Sequence, residues 1–152
     1  MGTEIERKFL VIGGEWRRQG RPVRLSQGYL TRSNERVVRI RIANDQAFIT
    51  VKGAPTGISR AEYEYPIPLV DAQQMLAALC IKPLIVKTRY LVLHAGLTWH
   101  VDEYHEPRAG LVIAEIELDR VDQSFERPPW IGAEVSGNPA YYNHNMLLQL
   151  GA

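Results

Sequence analysis

The chain has 152 residues, of which 45% are hydrophobic and 23% are charged, and its 18 basic residues nearly balance its 17 acidic ones. This size and composition predict one globular domain over residues 1–152 and exclude a disordered chain. The balanced charge gives no global field that would favour nucleic acid or an anionic membrane, and the single cysteine excludes an internal disulfide.

Alternating segments separated by turn residues predict five strands in the N-terminal half. These segments are EIERKFLVI (4–12), VRLSQGYLTR (23–32), VVRIRIA (37–43), QAFITVKG (46–53) and RAEYEYPIPL (60–69). Asp71 is then predicted to be the N-cap of a helix over AQQMLAAL (72–79). The short turns Ser33-Asn34 and Asn44-Asp45 join successive strands, which is typical of antiparallel hairpins.

The C-terminal half predicts three more strands and a second helix. The strands are LIVKTRYLVL (84–93), LTWHVDEYH (97–105) and AGLVIAEIEL (109–118), and the helix runs from Pro139 through AYYNHNMLLQL (140–150). No apolar run reaches the ~18 residues of a membrane span, and the acidic N-terminus differs from a signal peptide. The sequence therefore predicts a cytoplasmic, mainly β (α+β) protein whose eight sequential strands form an antiparallel sheet or barrel with a few peripheral helices.

Like-charged residues spaced two apart recur on five of the predicted strands. The pairs are Glu4 and Glu6, Arg39 and Arg41, Glu62 and Glu64, Lys87 and Arg89, and Glu115 and Glu117. Residues two apart share a strand face, and the opposite faces here are mostly apolar. Lys8, Lys52 and Asp102 have the matching parity, so six cations and seven carboxylates would share one continuous surface.

On a single strand, such charges usually form the solvent-exposed face of an antiparallel sheet. Five pairs together favour another interpretation, because two like charges ~7 Å apart repel by about 2 kcal/mol at an effective dielectric of ~20. A face that needed only solubility would mix the two signs. If the sheet closes, an eight-stranded barrel can hold side chains or one small ligand, and the charged face would turn inward.

The chemistry of this predicted lining indicates its ligand. Clusters of lysine and arginine bind phosphate oxygens. Clustered carboxylates without cysteine suit a hard cation such as Mg²⁺ or Mn²⁺ rather than Zn²⁺. Together, the two kinds of side chain predict a site for a metal-complexed polyphosphate.

A series of short motifs gives the chain a family resemblance. The motifs are EIERKF (4–9), QGYL (27–30), RIR (39–41), TVKG (50–53), RAEYEY (60–65), KTRY (87–90), VDEY (101–104), AEIEL (114–118) and PPW (128–130). In this order the chain resembles the CYTH superfamily, the triphosphate tunnel metalloenzymes, over nearly its whole length. The resemblance implies an eight-stranded antiparallel barrel closed as a tunnel, and it is closest to the short bacterial members that hydrolyse inorganic triphosphate.

The resemblance also implies roles for the charged residues. It implies that the phosphates are bound by Lys8, Arg39, Arg41, Lys52, Lys87 and Arg89. It implies that two divalent ions or their water ligands are held by Glu4, Glu6, Glu62, Glu64, Asp102, Glu115 and Glu117. Lys87 is further implied to activate the attacking water, which requires that cationic neighbours lower its pKa.

One segment departs from the family pattern. Related chains often carry basic residues in a segment resembling YKNK, where this chain has YYNHN with Tyr142 and His144. A protonated His144 would supply one charge below neutral pH, since the unperturbed pKa of histidine is ~6.5. The other three histidines lack the spacing of a zinc site, and the three tryptophans are predicted to be packing residues.

The residues leave more than one class of function open. The intact acidic pairs favour a metal-dependent hydrolase of inorganic triphosphate (tripolyphosphate) or of a simple organic triphosphate. A protein that only bound the phosphates would need the cations alone. The alternatives are a non-catalytic module that binds polyphosphate or nucleotide, and a class IV-type adenylate cyclase that converts ATP to cyclic AMP. The cyclase needs a nucleoside pocket and a positioned ribose hydroxyl, which strand parity does not reveal. The oligomeric state is left open, and the sequence is compatible with a homodimer.

Overall fold

The computed structural model describes residues 2–145, except for the side chain of His144. Within these residues the strands are β1 (Thr3–Val11), β2 (Arg21–Tyr29), β3 (Arg36–Ala43), β4 (Gln46–Gly53), β5 (Ser59–Ile67), β6 (Ile81–His94), β7 (Leu97–Glu106), β8 (Val112–Glu117) and β9 (Ile131–Glu134). The helices are α1 (Trp16–Gln19), α2 (Leu69–Ala78) and two single 3-10 turns at Pro139–Tyr141 and Asn143–Asn145. The predictions for residues 146–150 and for the charge of His144 lie outside the described part of the chain.

Eight of these strands close into an antiparallel barrel. Their order is β5-β4-β3-β2-β6-β7-β8-β1, and the first residues of β1 pair with β5 to complete the circle. The closed eight-stranded antiparallel barrel predicted from the sequence is confirmed. A ninth strand, β9, was not predicted; it pairs with the last part of β1, beyond the reach of β5.

Two-residue turns join β3 to β4 and β6 to β7, whereas the β2–β3 connection spans residues 30–35 and is longer than the predicted turn at Ser33-Asn34. The β6–β7 turn has positive φ at both Ala95 (50°) and Gly96 (81°), which is the conformation of a two-residue hairpin loop whose twist matches the strands. In the β3–β4 turn Asn44 has a φ of 53°, and its side-chain oxygen accepts a hydrogen bond from the backbone N–H of Arg24. Both turns fix the register of strands that carry charged pairs.

The outward face of β1, β7 and β8 carries the largest apolar cluster. Trp99 is fully buried, and its ring centroid lies 5.7 Å from that of Phe9 and 5.8 Å from that of Trp130. Trp16 of α1 belongs to the same cluster and is also fully buried. The predicted role of the three tryptophans in packing is confirmed.

Helix α2 covers a second apolar area, on the outward face of β3 and β4. It buries Ala72 and Leu76 against Ile40. The helix begins at Leu69 after Pro68, so the predicted N-cap role of Asp71 is wrong. Pro68 already has the φ that suits a helix start, and Asp71 lies in the first turn, where a carboxylate interacts favourably with the helix dipole.

The chain after β8 differs most from the sequence-based prediction. Asn138 caps a 3-10 turn by accepting a hydrogen bond from the N–H of Ala140, but the extended backbone of Tyr142 (φ −75°, ψ 131°) interrupts the helix. The predicted continuous helix from Pro139 is therefore wrong over the described residues. The short helix α1 was also not predicted. No helix within residues 2–145 combines the length and the apolar character needed to cross a bilayer.

One end of the barrel interior is apolar. A buried cluster there consists of Tyr29, Val37, Ile85, Tyr104 and Ile113. The last four of these each lie two residues from an interior charged residue on the same strand, and Tyr29 lies two residues from Gln27, which contacts Arg41, so all five side chains point inward. The inward face is therefore charged over only part of its length.

Candidate active site

The charged part of the barrel interior encloses two adjoining cavities. We call the larger, of about 170 Å³, the charged chamber and the smaller, of about 70 Å³, the mouth chamber. Their shared lining residues are Glu4, Glu6, Lys8, Arg39, Lys52 and Asn143. The mouth chamber is also lined by Pro55 and Ile58 of the β4–β5 loop and by Tyr142, so it lies at the end of the barrel that the C-terminal segment covers.

The order of the strands sorts the interior charges onto two walls. Strands β8, β1 and β5 are neighbours and form an acidic wall that carries all three carboxylate pairs. Strands β4, β3, β2 and β6 form a basic wall that carries five of the six predicted cations. The sixth cation, Lys8, lies on the acidic wall, and Asp102 lies on β7 at the border between the walls. A bound ligand would therefore meet opposite charges on its two sides.

The structure brings the predicted site residues together in one interior. The charged chamber is lined by Glu4, Glu6, Lys8, Arg39, Arg41, Lys52, Glu62, Glu64, Arg89, Glu115 and Glu117. The remaining two, Lys87 and Asp102, have no solvent exposure and lie deeper, beside Tyr104 of the apolar cluster. The roles of these residues as phosphate ligands, metal ligands or base remain predictions.

Glu4 and Glu62 form a hydrogen-bonded carboxylate pair on the acidic wall. The ammonium of Lys52 lies 3.0 Å from Glu4 Oε2 and 3.3 Å from Glu62 Oε2. Burial and the hydrogen bond with Glu4 raise the pKa of Glu62 to about 7. Burial alone would raise the pKa of Glu4, but its hydrogen bond with Glu62 and the charge of Lys52 outweigh this effect and lower it to about 2. The pair therefore retains a shared proton up to about pH 7.

Glu6 and Glu115 form a second such pair. Lys8 Nζ lies 4.0 Å from Glu6 Oε1 and 3.8 Å from Glu115 Oε1. Burial and the negative charge of Glu115 raise the pKa of Glu6 well above its ordinary value. Burial opposes ionisation of Glu115 as well, but the neighbouring cations, with Lys8 the strongest, hold its pKa well below the ordinary value. The acidic wall thus stores protons where its carboxylates crowd together.

Asp102, at the border between the walls, contacts two cationic side chains. Its Oδ1 and Oδ2 accept hydrogen bonds of 2.8 and 3.0 Å from Arg89, and its Oδ2 lies 2.7 Å from Lys87 Nζ. Burial would raise the pKa of Asp102, but Arg89 and Lys87 lower it far below the ordinary value. Asp102 therefore differs from the other carboxylates, which face the chamber.

Lys87 is held in a polar niche next to the chamber. Its Nζ lies 3.5 Å from the hydroxyl of Tyr104 and 3.5 Å from Asn143 Oδ1. The Tyr104 hydroxyl also donates to Asn143 Oδ1. Burial lowers the pKa of Lys87 to about 7. The repulsion from Arg89 and Arg41 lowers it further, and the attraction of Asp102 offsets only part of these effects. A large fraction of this amine is therefore neutral near physiological pH.

The two arginines of β3 have different partners. Arg39 donates to the hydroxyl of Thr50 at 3.1 Å and to Glu64 Oε2 at 3.3 Å. Arg41 donates from Nε to the amide oxygen of the buried Gln27 at 2.8 Å. Burial, together with the repulsion of neighbouring arginines, lowers the pKa of Arg41 to about 9. Arg39 is therefore paired with a carboxylate, whereas Arg41 is held by a neutral amide.

The carboxylates fit a divalent cation together with further oxygen ligands. Among the described residues, no three acidic, histidine or cysteine side chains are already arranged to hold an ion. The acidic wall does contain carboxylates close enough to share protons, and a divalent cation would relieve the same repulsion. Mg²⁺ commonly binds one or two carboxylates and completes its shell with water and substrate phosphate. This oxygen-only donor set fits Mg²⁺ or Mn²⁺ that binds along with a phosphate.

Several interior polar residues were absent from the sequence-based site. His100 and Asn143 line the charged chamber, and Gln27 holds Arg41. His100 lies two residues before Asp102, so strand parity could have placed it inward; burial and the charge of Arg89 lower its pKa. Gln27 could not have been found in this way, because it shares its face of β2 with the apolar Leu25 and Tyr29 rather than with a charged site residue. Asn143 gave no signal, because it follows the strands and its position depends on the 3-10 turns.

Comparison with known proteins finds matches over nearly the whole chain. The CYTH domain family matches residues 2–143. An inorganic triphosphatase of Acetivibrio thermocellus is 48% identical over 147 residues, which cover 97% of this chain and 94% of the relative. An inorganic triphosphatase of Nitrosomonas europaea is 34% identical over 155 residues, covering 97% of this chain and 99% of the relative. The crystal structure of the inorganic triphosphatase NE1496 aligns with a TM-score of 0.66 and 32% identity, covering 97% and 96% of the two chains.

Proposed function

Because this chain belongs to the CYTH domain family, we propose that it hydrolyses inorganic triphosphate to pyrophosphate and orthophosphate with the help of a divalent cation. The observation that carries the proposal is the closed chamber in which an acidic wall faces a basic wall. A relative that is 48% identical over nearly the full length of both chains is an inorganic triphosphatase, which supports the same activity here.

The composition of the chamber favours a phosphate chain without an organic group. Of its 13 lining residues, 11 are charged, and the other two are His100 and Asn143. No tyrosine, phenylalanine or tryptophan of the described residues lines it, so it offers no platform for stacking a base. Inorganic triphosphate can lie between the walls along its whole length, whereas the base and ribose of ATP would remain in the mouth chamber or outside.

The basic wall is proposed to bind the phosphates. Arginine suits this role because its planar fork donates two parallel hydrogen bonds to phosphate oxygens. Phosphate ligands in the proposal are Arg39, Arg41, Lys52, Lys87 and Arg89 of the basic wall, together with Lys8 of the acidic wall. Several of these cations now pair with carboxylates, and phosphate oxygens would replace those partners on binding.

The acidic wall is proposed to hold Mg²⁺ or Mn²⁺. The six carboxylates that face the chamber can supply oxygen ligands directly or through water: Glu4, Glu6, Glu62, Glu64, Glu115 and Glu117. Asp102 was predicted to join them, but its contacts with Arg89 and Lys87 support instead a role in holding those two cations. When bound, the metal neutralises negative charge on the phosphates and polarises the phosphoryl group.

Lys87 is proposed to act as the general base. A pKa of about 7 lets its neutral amine accept a proton near physiological pH, and a base is most effective when its pKa lies near the working pH. Asn143, which lines both chambers, lies 3.5 Å from the amine and borders its route to the cavity. In the proposed step water attacks the terminal phosphorus, its proton passes to Lys87, and the anhydride P–O bond breaks as pyrophosphate leaves.

The test is a panel of triphosphates assayed with Mg²⁺ and with Mn²⁺ for released phosphate and for cyclic nucleotide. Inorganic triphosphate should release phosphate, and Lys87→Met should lower kcat by at least ~100-fold, the lower end of general-base effects. The matched control is Lys82→Met, since Lys82 is an exposed lysine of the same strand, and it should keep full activity. Cyclic AMP formed from ATP would replace the proposal with a cyclase, and binding without turnover would replace it with a non-catalytic module.

A further inference from the structure

Arg41 is the exception among the interior cations. A carboxylate oxygen lies within 4.0 Å of a side-chain nitrogen of each of the other five: Lys8, Arg39, Lys52, Lys87 and Arg89. Among residues 2–145, Arg41 has no carboxylate within this distance, and its two terminal nitrogens make no hydrogen bond. It nevertheless lines the charged chamber, so it presents the least compensated positive charge to a ligand.

Gln27 is the partner that takes the place of a carboxylate. It lies on β2 directly opposite Arg41 in the β2–β3 pairing, near the middle of the basic wall. Its side chain has no solvent exposure; the amide oxygen accepts from Arg41 Nε at 2.8 Å, and the amide nitrogen donates to the hydroxyl of Tyr29 at 3.0 Å. Both polar atoms of the buried amide are therefore satisfied, and its orientation is fixed.

We propose that Gln27 is a positioning residue, which holds the guanidinium of Arg41 toward the substrate by a neutral hydrogen bond and leaves its charge free for phosphate. The inference deepens the proposed triphosphatase function and depends on it for the identity of the anion. A glutamine fixes Nε without compensating the charge, whereas a glutamate of nearly the same shape would form an ion pair. The cost of keeping this charge unpaired is visible in the lowered pKa of Arg41, which burial and the nearby Arg39 and Arg89 cause. A phosphate group would recover this cost on binding.

The test compares two substitutions that change this contact in different ways. Gln27→Glu keeps the shape and adds a competing charge, while Gln27→Met deletes both hydrogen bonds. Binding of inorganic triphosphate is measured by calorimetry in EDTA, so that hydrolysis is not required, and kcat/KM is measured with Mg²⁺. Gln27→Glu should weaken triphosphate binding at least tenfold and Gln27→Met about threefold to tenfold. Gln27→Glu should nevertheless melt no lower than Gln27→Met, since it restores a partner to Arg41.

Two controls separate positioning from a loss of structure. Ile40→Val changes a fully buried residue of β3 that faces α2, so it should lower stability and leave triphosphate binding unchanged. In an Arg41→Gln background, Gln27→Met should change triphosphate affinity less than twofold, because the group that Gln27 positions is gone. Arg41→Lys tests the same contact with Gln27 unchanged: one nitrogen cannot both contact Gln27 and donate a fork to phosphate, and at least a threefold loss is expected.

The outcomes discriminate between the two proposals. The inference would be overturned by any of three results: unchanged triphosphate binding in Gln27→Glu, a loss of affinity from Gln27→Met that is as large in the Arg41→Gln background as without it, or full affinity in Arg41→Lys. Hydrolysis of triphosphate would then leave the proposed function intact. The expected pattern of binding in a protein that hydrolyses no triphosphate with either metal would support the positioning role and overturn the proposed function. If the unsubstituted protein neither binds inorganic triphosphate in EDTA nor hydrolyses it with either metal, both proposals fail.

Discussion

Replacing Asp102 with asparagine tests whether the buried ion pairs of the interior stabilise the barrel. Asp102 has no solvent exposure, and its carboxylate makes two hydrogen bonds to Arg89 and one close contact with Lys87. Asparagine has nearly the same shape but no charge, so among the described residues Arg89 would keep only Glu115, at 3.7 Å, and Lys87 would lose the carboxylate that favours its charged form. The matched variant is Glu117→Gln, because Glu117 is exposed to the chamber and makes no ion pair with any described residue.

The expected effect on stability follows from this difference in surroundings. Removing one partner of a buried ion pair typically costs about 3–5 kcal/mol, since the remaining charge is left without compensation. For a chain of this length 1 kcal/mol lowers the melting temperature by about 2–4 °C, so Asp102→Asn should lower it by about 6–20 °C. Burial and the charge of Glu4 raise the pKa of Glu117, so its ionised form is disfavoured. Glu117→Gln should therefore leave the melting temperature unchanged or raise it.

The assay is thermal and urea unfolding of both variants at pH 7.5 in EDTA, without phosphate. Hydrolysis of triphosphate is measured in parallel, and Glu117→Gln should lose most of its activity although its stability is kept. A melting temperature of Asp102→Asn within 2 °C of the unsubstituted protein would refute a stabilising role for this ion pair. A drop of Glu117→Gln as large as that of Asp102→Asn would mean that the chamber carboxylates are themselves structural partners rather than groups kept for a ligand.

Three further predictions concern the metal, the substrate and the proton shared on the acidic wall. Excess EDTA should stop triphosphate hydrolysis, and added Mg²⁺ or Mn²⁺ should restore it; full activity in EDTA would contradict the proposed role of the carboxylates. In side-by-side kinetics kcat/KM for inorganic triphosphate should exceed that for ATP by at least about tenfold, or ~1.4 kcal/mol, and pyrophosphate should turn over poorly. Stability should fall by at most about 2 kcal/mol between pH 5 and 7, because Glu62, with a pKa raised to about 7, keeps a proton that the unfolded chain releases near its ordinary value of 4.5. Urea unfolding of Glu62→Gln across this range should show a smaller fall, and an unchanged pH dependence would count against the shared proton.

Strand parity predicted which charges point inward, because an alternating strand can bury only one of its faces in a given layer. The pairs Arg39 and Arg41 or Glu115 and Glu117 could be assigned to a common surface from spacing alone. Parity could not predict depth along the barrel. Lys87 and Asp102 share the parity of the other site residues, yet they lie beyond the chamber, because the stagger of the strands in the closed barrel decides how far inside each position lies.

Other features depend on contacts that no local pattern contains. Helix α1 has only four residues, too few for a helical period to appear, and its position is fixed by the burial of Trp16 against the barrel. β9 likewise has four residues and forms because β1 extends past the end of β5. Asn143 reaches the chamber through a segment whose 3-10 turns interrupt the predicted helix. The residues that surround Lys87 were therefore less predictable from the sequence than the charged residues that line the chamber.

The order of the strands explains why like charges are grouped along the chain, because it places each group on one wall of the barrel. Within each wall neighbouring charges repel; Glu6, for example, lies directly opposite Glu117 across the β1–β8 pairing. Closure of the barrel brings cations and carboxylates together where the walls meet, as in the contact of 3.0 Å between Lys52 and Glu4. A phosphate chain with its metal would exchange these contacts without leaving charges unpaired, since phosphate replaces carboxylate on the basic wall and the metal replaces lysine and protons on the acidic wall. The barrel is therefore stabilised by contacts that a ligand of mixed charge can take over, and a ligand with only one sign of charge would satisfy only one wall.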